Sequence, residues 1–242
     1  MFEDALRYPW TGEDRLETIV VGGVLGLLGF LVVPVFLVFG YLLRVLRRVD
    51  AGDEAPPAFD DWGDLLVDGL KAFVVALVYG LVPAVVLTVA TLALFLPFTV
   101  VSSEAVPGTA AAPDPGAGIL GLLAALAVVA LALGVTLVAL YLLPAGVAAL
   151  ARTGRLGAAF SPRRLRRIGL NGRYATGWLV AVGISILASV VAGVLAATVA
   201  GAVLIPFVNF YGNVAGAYAI GRGVREVPEA DLRAAASDRA AA

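Results

Sequence analysis

Four long stretches of the chain carry no Asp, Glu, Lys or Arg: residues 18–43, 72–103, 115–151 and 174–221. Each exceeds the ~20 apolar residues that a helix rising ~1.5 Å per residue needs to cross ~30 Å of hydrocarbon. The last holds 48 residues, and as one helix would extend about 70 Å, more than twice the hydrocarbon thickness. It is expected to turn back. Gly201 and Pro206 mark the place, because Gly carries a backbone cost and Pro has no amide to donate. The pattern predicts an all-α, polytopic transmembrane helical bundle with five spans near residues 18–43, 72–101, 118–150, 176–200 and 204–221. Pro34 gives the first run an alternative, as a bent or re-entrant segment.

The connection 44–71 breaks this apolar pattern. Pro56 and Pro57 hold the chain extended. Asp60 or Asp61 is positioned to cap a helix, with Asp64 three residues after Asp61 as in a capping box. From there Phe59, Trp62, Leu65, Leu66, Gly69, Leu70 and Phe73 recur on one side, and Asp61, Asp64 and Asp68 on the other. The spacing predicts an interfacial amphipathic helix over residues 60–70 that leads into the second span, with Trp62 at headgroup level. Its acidic face departs from the Lys and Arg that such helices generally present to lipid.

A second interfacial helix is expected in the connection 151–175, with Ser161 as N-cap, Pro162 as first residue, and Arg163, Arg164, Arg166 and Arg167 as its charges. Two readings of the opposed charges stand. Helix 60–70 packs on helix 161–170 through bidentate Asp–Arg contacts, or the two faces are separately solvated, since exposed pairs contribute only ~0–1 kcal/mol. The two connections also match at an offset of 100, Tyr41-Leu42-Leu43 with Tyr141-Leu142-Leu143 and Gly69-Leu70 with Gly169-Leu170. Either an internal duplication of span, linker, interfacial helix and span or coincidence in an apolar chain accounts for this.

Charge sets the expected orientation. The connection between spans three and four holds Arg152, Arg155, Arg163, Arg164, Arg166, Arg167 and Arg173, whereas residues 102–117 hold no Lys or Arg. Basic short loops stay inside, so the connections 44–71 and 151–175 and the tail 223–242 are expected in the cytoplasm, and residues 102–117 and 1–17 outside. Arg7 and Arg15 pull the other way for the N-terminal segment. That segment also has Glu3, Asp4, Glu13 and Asp14 in place of a basic start, so no secretory signal is expected.

Composition narrows the chemistry. Hydrophobic residues make up 61% and charged residues 14%, with a mean hydropathy of +0.97, far from the roughly even apolar balance of soluble domains. The bilayer is the expected partner throughout, and no nucleic-acid partner is expected. With no Cys and no His, the chain lacks thiolate chemistry, the usual general base and the usual zinc ligands. Ser102 and Ser103 beside Glu104 have no His to activate them. Asp61, Asp64 and Asp68 share one face and carry the oxygens a hard cation takes, but one helix does not surround an ion, and a solvated acidic face is the expected state. No enzyme, cofactor or metal centre is expected. The absence of charge within the spans also disfavours an ion-coupled carrier.

The run from GGVLGLLGFLVVPVFLVFGYLLRVLRR through DAGDEAPPAFDDWGDLLVDGLKAFVVALVYGLVP, preceded by RYPWTGED, resembles an archaeal membrane family catalogued as domain of unknown function 4013 and common in halophiles. The resemblance extends from about residue 1 to about residue 223. It rests on Gly40-Tyr41, Arg44, Pro56-Pro57, Phe59, Trp62-Gly63 and Gly69, and on the ending NFYGNVAGAYAIGRG. It implies a membrane fold and lends no mechanism. Sixteen of the 17 basic residues are Arg and the soluble segments are rich in acid, which fits a halophile and equally GC-rich coding.

Among polar residues within the runs, Asn209 and Asn213 lie four apart on the last helix, flanked by Tyr211 and Tyr218. An unpaired amide in hydrocarbon costs several kcal/mol, so these side chains are expected to bond between helices, line a polar path or meet a lipid headgroup. Gly22 and Gly26 have the spacing of close helix packing, within one chain or between copies of a homo-oligomer. The expected function is a non-enzymatic accessory or scaffold component whose charged cytoplasmic helices dock a protein partner. The competing class is a permease or channel for an uncharged or lipid-like solute, with Asn209 and Asn213 beside the path.

Overall fold

The computed structural model describes residues 1–103, 115–225 and 227, and among them there is no β-strand. In chain order the helices are α1 (Phe2–Arg7), α2 (Arg15–Leu27), α3 (Val33–Ala51), α4 (Trp62–Ser103), α5 (Pro115–Thr153), α6 (Leu156–Ala159), α7 (Pro162–Gly169), α8 (Gly172–Leu195) and α9 (Val199–Arg225). Four of them, α4, α5, α8 and α9, are long and apolar enough to cross a membrane. Residues expected in the outer loop and in the tail, 104–114, 226 and 228–242, lie outside the described set.

The chain divides into two compact units. The smaller, Leu77–Tyr141, comprises α4 from Leu77 to its end and the bulk of α5. Its buried positions are small, Ala90, Ala132 and Ala139, while Leu81, Val85, Val89, Leu123, Leu131 and Leu137 face outward. That inversion of a soluble protein's pattern suits lipid, where a helix keeps its backbone hydrogen bonds internal and nothing drives Leu inward.

The larger unit, Met1–Ala76 with Leu142–Ala242, is built around α9. The first apolar run, expected as one span over residues 18–43, is two helices here. α2 ends at Leu27, a 3₁₀ turn follows over Gly29–Leu31, and Val32 takes φ 66° before α3 begins. A β-branched residue at positive φ is strained, and Pro34 in the first turn of α3 tolerates a new start because its missing amide has no helical acceptor there.

Contacts along α9 give the directions of these two helices. Gly22 faces Phe210, Gly23 faces Phe207 and Gly26 faces Pro206, so α2 runs antiparallel to α9. Tyr41 meets Phe210, and Val49 and Leu46 meet Gly221, so α3 runs parallel to it. α2 and α3 form a helical hairpin. Both of its ends lie together: Tyr8 donates its hydroxyl hydrogen to the Ala55 carbonyl (3.2 Å) and Thr11 to that of Glu54 (3.1 Å). At 13 and 19 residues, the arms are about 20 and 28 Å long, short of the ~30 Å of hydrocarbon.

Two other boundaries differ from expectation. The turn in the last apolar run falls at residues 196–198, before Gly201 and Pro206, both of which lie inside α9. Thr198 Oγ1 accepts the Gly201 amide (3.0 Å) and so caps α9. Gly201 is needed for close approach, since a side chain there would overlap the Leu195 carbonyl. The interfacial helix expected over residues 60–70, leading into the second span, has no boundary of its own and forms the first turns of α4, because no residue after Trp62 interrupts the ladder.

Interhelix contacts rest on absent side chains. A Cβ at Gly40 would overlap the Leu65 carbonyl, and one at Gly69 the Phe36 carbonyl, so α3 and α4 cross backbone to backbone. Gly177 and Gly223 make a similar crossing of α8 with α9. Around these lies an aromatic core, with Tyr41 stacked on Phe59 at 4.3 Å, Phe59 on Trp62 at 5.8 Å, and Tyr8 on Tyr218 at 4.5 Å. Stacked aromatic pairs add roughly 0.5–1.5 kcal/mol beyond their area.

The hairpin predicts a shared side for its ends. In this Cys-free chain, Glu13→Cys and Glu54→Cys should both react with a membrane-impermeant maleimide from one face of oriented vesicles, and Val199→Cys should not. Labelling of the two from opposite faces would show that the first run crosses the bilayer.

Candidate functional site

One end of the larger unit gathers the charges. The α3 residues Arg44, Arg47, Arg48 and Asp50 fall on successive turns, and the neighbouring helix ends supply their partners. Arg44 Nη1 donates to Asp60 Oδ1 (2.5 Å) and to the Asp60 carbonyl (2.8 Å), and Nη2 to the Asp61 carbonyl (3.1 Å). The same linker is held by Tyr41, whose hydroxyl donates to the Pro57 carbonyl (3.0 Å). Asp61 itself has φ 45°, a conformation that Asp tolerates better than most residues, and its carbonyl accepts the Leu65 amide as α4 starts.

Two arginines tie helices together. Arg47 grips Asp68 of α4 with both terminal nitrogens and donates Nε to the Ala151 carbonyl of α5 (3.2 Å). Arg152 of α5 donates Nε to both carboxylate oxygens of Asp50 (2.9 Å each) and Nη2 to Asp50 Oδ1 (2.5 Å). Its remaining hydrogens reach the Val224 carbonyl (2.8 Å) and the Val227 carbonyl (3.4 Å). The terminal carbonyls of a helix have no partner within it, so Arg152 closes α9 while pairing with α3. Its side chain is 9% exposed and that of Asp50 23%, a depth at which forked, charge-assisted bonds are strong.

The predicted site residues fall into two groups. Asp68, expected on a solvated acidic face, is 8% exposed and bound to Arg47, with Lys71 at 3.8 Å. The buried side of α4 is Leu65, Asp68, Gly69 and Ala72, while Leu66 and Leu70 face outward. Asp68 is thereby taken from any cation set with Asp61 and Asp64. By contrast Asp61, Asp64, Arg163, Arg166 and Arg167 are exposed, and among the described residues no ion pair joins them. Ser161 and Pro162 open α7 as predicted, although the Ser161 side chain makes no capping bond. Leu165 and Ile168 form its buried face, and burial together with Arg152 and Arg155 depresses the basicity of Arg164.

Asn209 and Asn213 are both exposed. Asn213 is a polar group on a cavity of about 290 Å³ between α2, α3 and α9, lined otherwise by residues such as Leu25, Val35, Val38, Phe39 and Leu42. Tyr211 donates to the Leu6 carbonyl, and Tyr218 stacks on Tyr8. Sequence reasoning missed Arg47, Asp50 and Arg152 as a set. Their only signal was position, three charges at the last turns of apolar helices.

Removing one partner of a buried pair strands the other, so Arg152→Gln should destabilise the detergent-solubilised protein by about 3 kcal/mol, read as a lowered melting temperature. Asp68→Arg should be as harmful, and Arg47→Asp in the same chain should restore part of the loss. Arg167→Asp should restore none. The reverse pattern of rescue would move the partner of Asp68 to α7.

Residues that carry the family resemblance are neighbours here: Gly40 with Gly69, Tyr41 with Pro57 and Phe59, and Phe59 with Trp62. No curated protein and no solved structure matches the chain at a significant level. The family model described as "Protein of unknown function (DUF4013)" matches residues 25–197, which contain α3 to α8 whole and Arg47, Asp50, Asp68 and Arg152. The chain belongs to the DUF4013 family.

Proposed function

We propose that this protein is a non-enzymatic component of the cell membrane that docks a protein partner on its charged end, and that this end is cytoplasmic. One observation carries the reading. The charges nearest the core are consumed in holding helices together, while Arg163, Arg166 and Arg167 of α7 and Asp61 and Asp64 at the start of α4 stay exposed and without an ion pair among the described residues. Charges placed outside a self-sufficient network are the kind that steer a partner and fix its register. Sidedness follows from Arg and Lys, which retain short loops in the cytoplasm. With the hairpin re-entrant, the N-terminal segment joins that side, and Arg7 and Arg15 then agree with the loops. On this reading the chain has four spans and one re-entrant hairpin in place of five spans.

A second reading has its own support. The cavity that reaches Asn213 lies against a hairpin, and broken helices offer backbone groups to uncharged solutes. A permease for such a solute would use this path.

Affinity purification from native membranes in mild detergent, with quantitative mass spectrometry, separates the two. The docking reading expects one protein at near-stoichiometric yield, lost when Asp61, Asp64, Arg163, Arg166 and Arg167 are neutralised and the melting temperature is unchanged. Recovery of the chain alone, with solute flux in liposomes that falls in Asn213→Leu, would replace docking by transport.

A further inference from the structure

A second cavity, of about 330 Å³, lies beside the N-terminal half of α2, floored by α9 and walled by α8. Ile19 of α2, Leu187 and Val191 of α8, and Phe207 and Val208 of α9 line it, and Leu6 and Trp10 stand at one end. Its concavity comes from small residues where α8 meets α9: a Cβ on Gly212 would come within 3.0 Å of the Ala188 Cβ. The hydroxyl of Tyr211, a polar group on the lining, is already spent on the Leu6 carbonyl. Water needs two or more polar partners to occupy a cavity, and this one offers none along its length. Its volume falls within the range of small-ligand pockets, so it suits a single hydrocarbon chain.

The end marked by Trp10 is different in kind. The Arg15 guanidinium sits 5.6 Å from the centroid of the Trp10 ring, both residues are exposed, and Arg15 has no ion pair among the described residues. An indole and a free guanidinium beside the opening of an apolar groove match the two parts of a phospholipid. The ring settles at headgroup depth, and the guanidinium binds phosphate through paired N–H groups.

We propose that this groove is a lipid site: one hydrocarbon chain of a phospholipid lies between α2, α8 and α9, and its phosphate meets Arg15 beside Trp10. The assignment is independent of the docking reading, since the groove and the exposed charges of α4 and α7 share no residue.

The test uses Trp10 as reporter. In the full chain with Trp62→Phe and Trp178→Phe, phosphatidylglycerol with brominated chains is titrated into detergent micelles and Trp10 fluorescence is followed. Quenching should saturate at a stoichiometric amount of lipid. Ala188→Phe, which fills the cavity from its α8 wall, should abolish the saturable part, whereas Ile186→Phe, which places the same ring on the exposed face of α8, should keep it. Arg15→Gln should shift saturation to several-fold higher lipid. Quenching that rises without saturation, or that is the same in Ala188→Phe, would mean contact with annular lipid only and would overturn the site. An unchanged midpoint in Arg15→Gln would overturn the headgroup assignment.

Discussion

Arg152 is the point at which three helices become one structure. It pairs with Asp50 at the end of α3, belongs to the end of α5, and satisfies the Val224 and Val227 carbonyls where α9 finishes. Helix ends are where the backbone runs out of its own partners, and in a chain this apolar few side chains can supply them. A buried pair of this kind seldom exceeds what well-packed apolar residues would contribute. Its value is register: a forked guanidinium fits a carboxylate in few orientations, so α3, α5 and α9 are locked at one height. Arg47 repeats the device one turn away, linking α3 to α4 through Asp68 and to α5 through the Ala151 carbonyl.

With height set, closeness is left to glycine. Gly40 and Gly69 allow α3 and α4 to touch through their backbones, and Gly177 and Gly223 do the same for α8 and α9. In lipid there is little gain in hiding one aliphatic chain from another, so packing relies on surfaces that approach closely and on polar groups that find partners. The aromatic stack from Trp62 through Phe59 to Tyr41 and Phe210 fills the space beside the first crossing.

Much of the plan was legible in the residues. Uncharged runs located the long helices α4, α5, α8 and α9, and Ser161-Pro162 located the start of α7. What was not legible has a common cause. Periodicity identifies a face but not its partner, so it leaves Asp68 either solvated or facing the arginines of helix 161–170, when Arg47, across the linker, is its match. The stripe on α4 was read from hydrophobicity alone. The structure turns Leu65, Asp68, Gly69 and Ala72 inward because a Gly crossing and an ion pair outweigh Leu66 and Leu70, which lipid accepts as readily as protein does. Pro206 was read as a break, yet Pro costs a helix one hydrogen bond that its surroundings absorb. The break in the last apolar run falls at residues 196–198, and the break in the first run falls at Val32, two residues before the Pro34 that marks a possible bend.

The α2–α3 hairpin also sets an order of events during synthesis. Its glycine-rich face, Gly22, Gly23 and Gly26, is complementary to Pro206, Phe207 and Phe210, residues that leave the ribosome about 180 positions later. At ~5–20 residues per second, that is on the order of 10–40 s. For that interval the glycine face of α2 lacks its α9 partner, and only the arrival of α9 gives it a seat. The hairpin is thus made well before its seat exists, and its placement waits on the synthesis of α9.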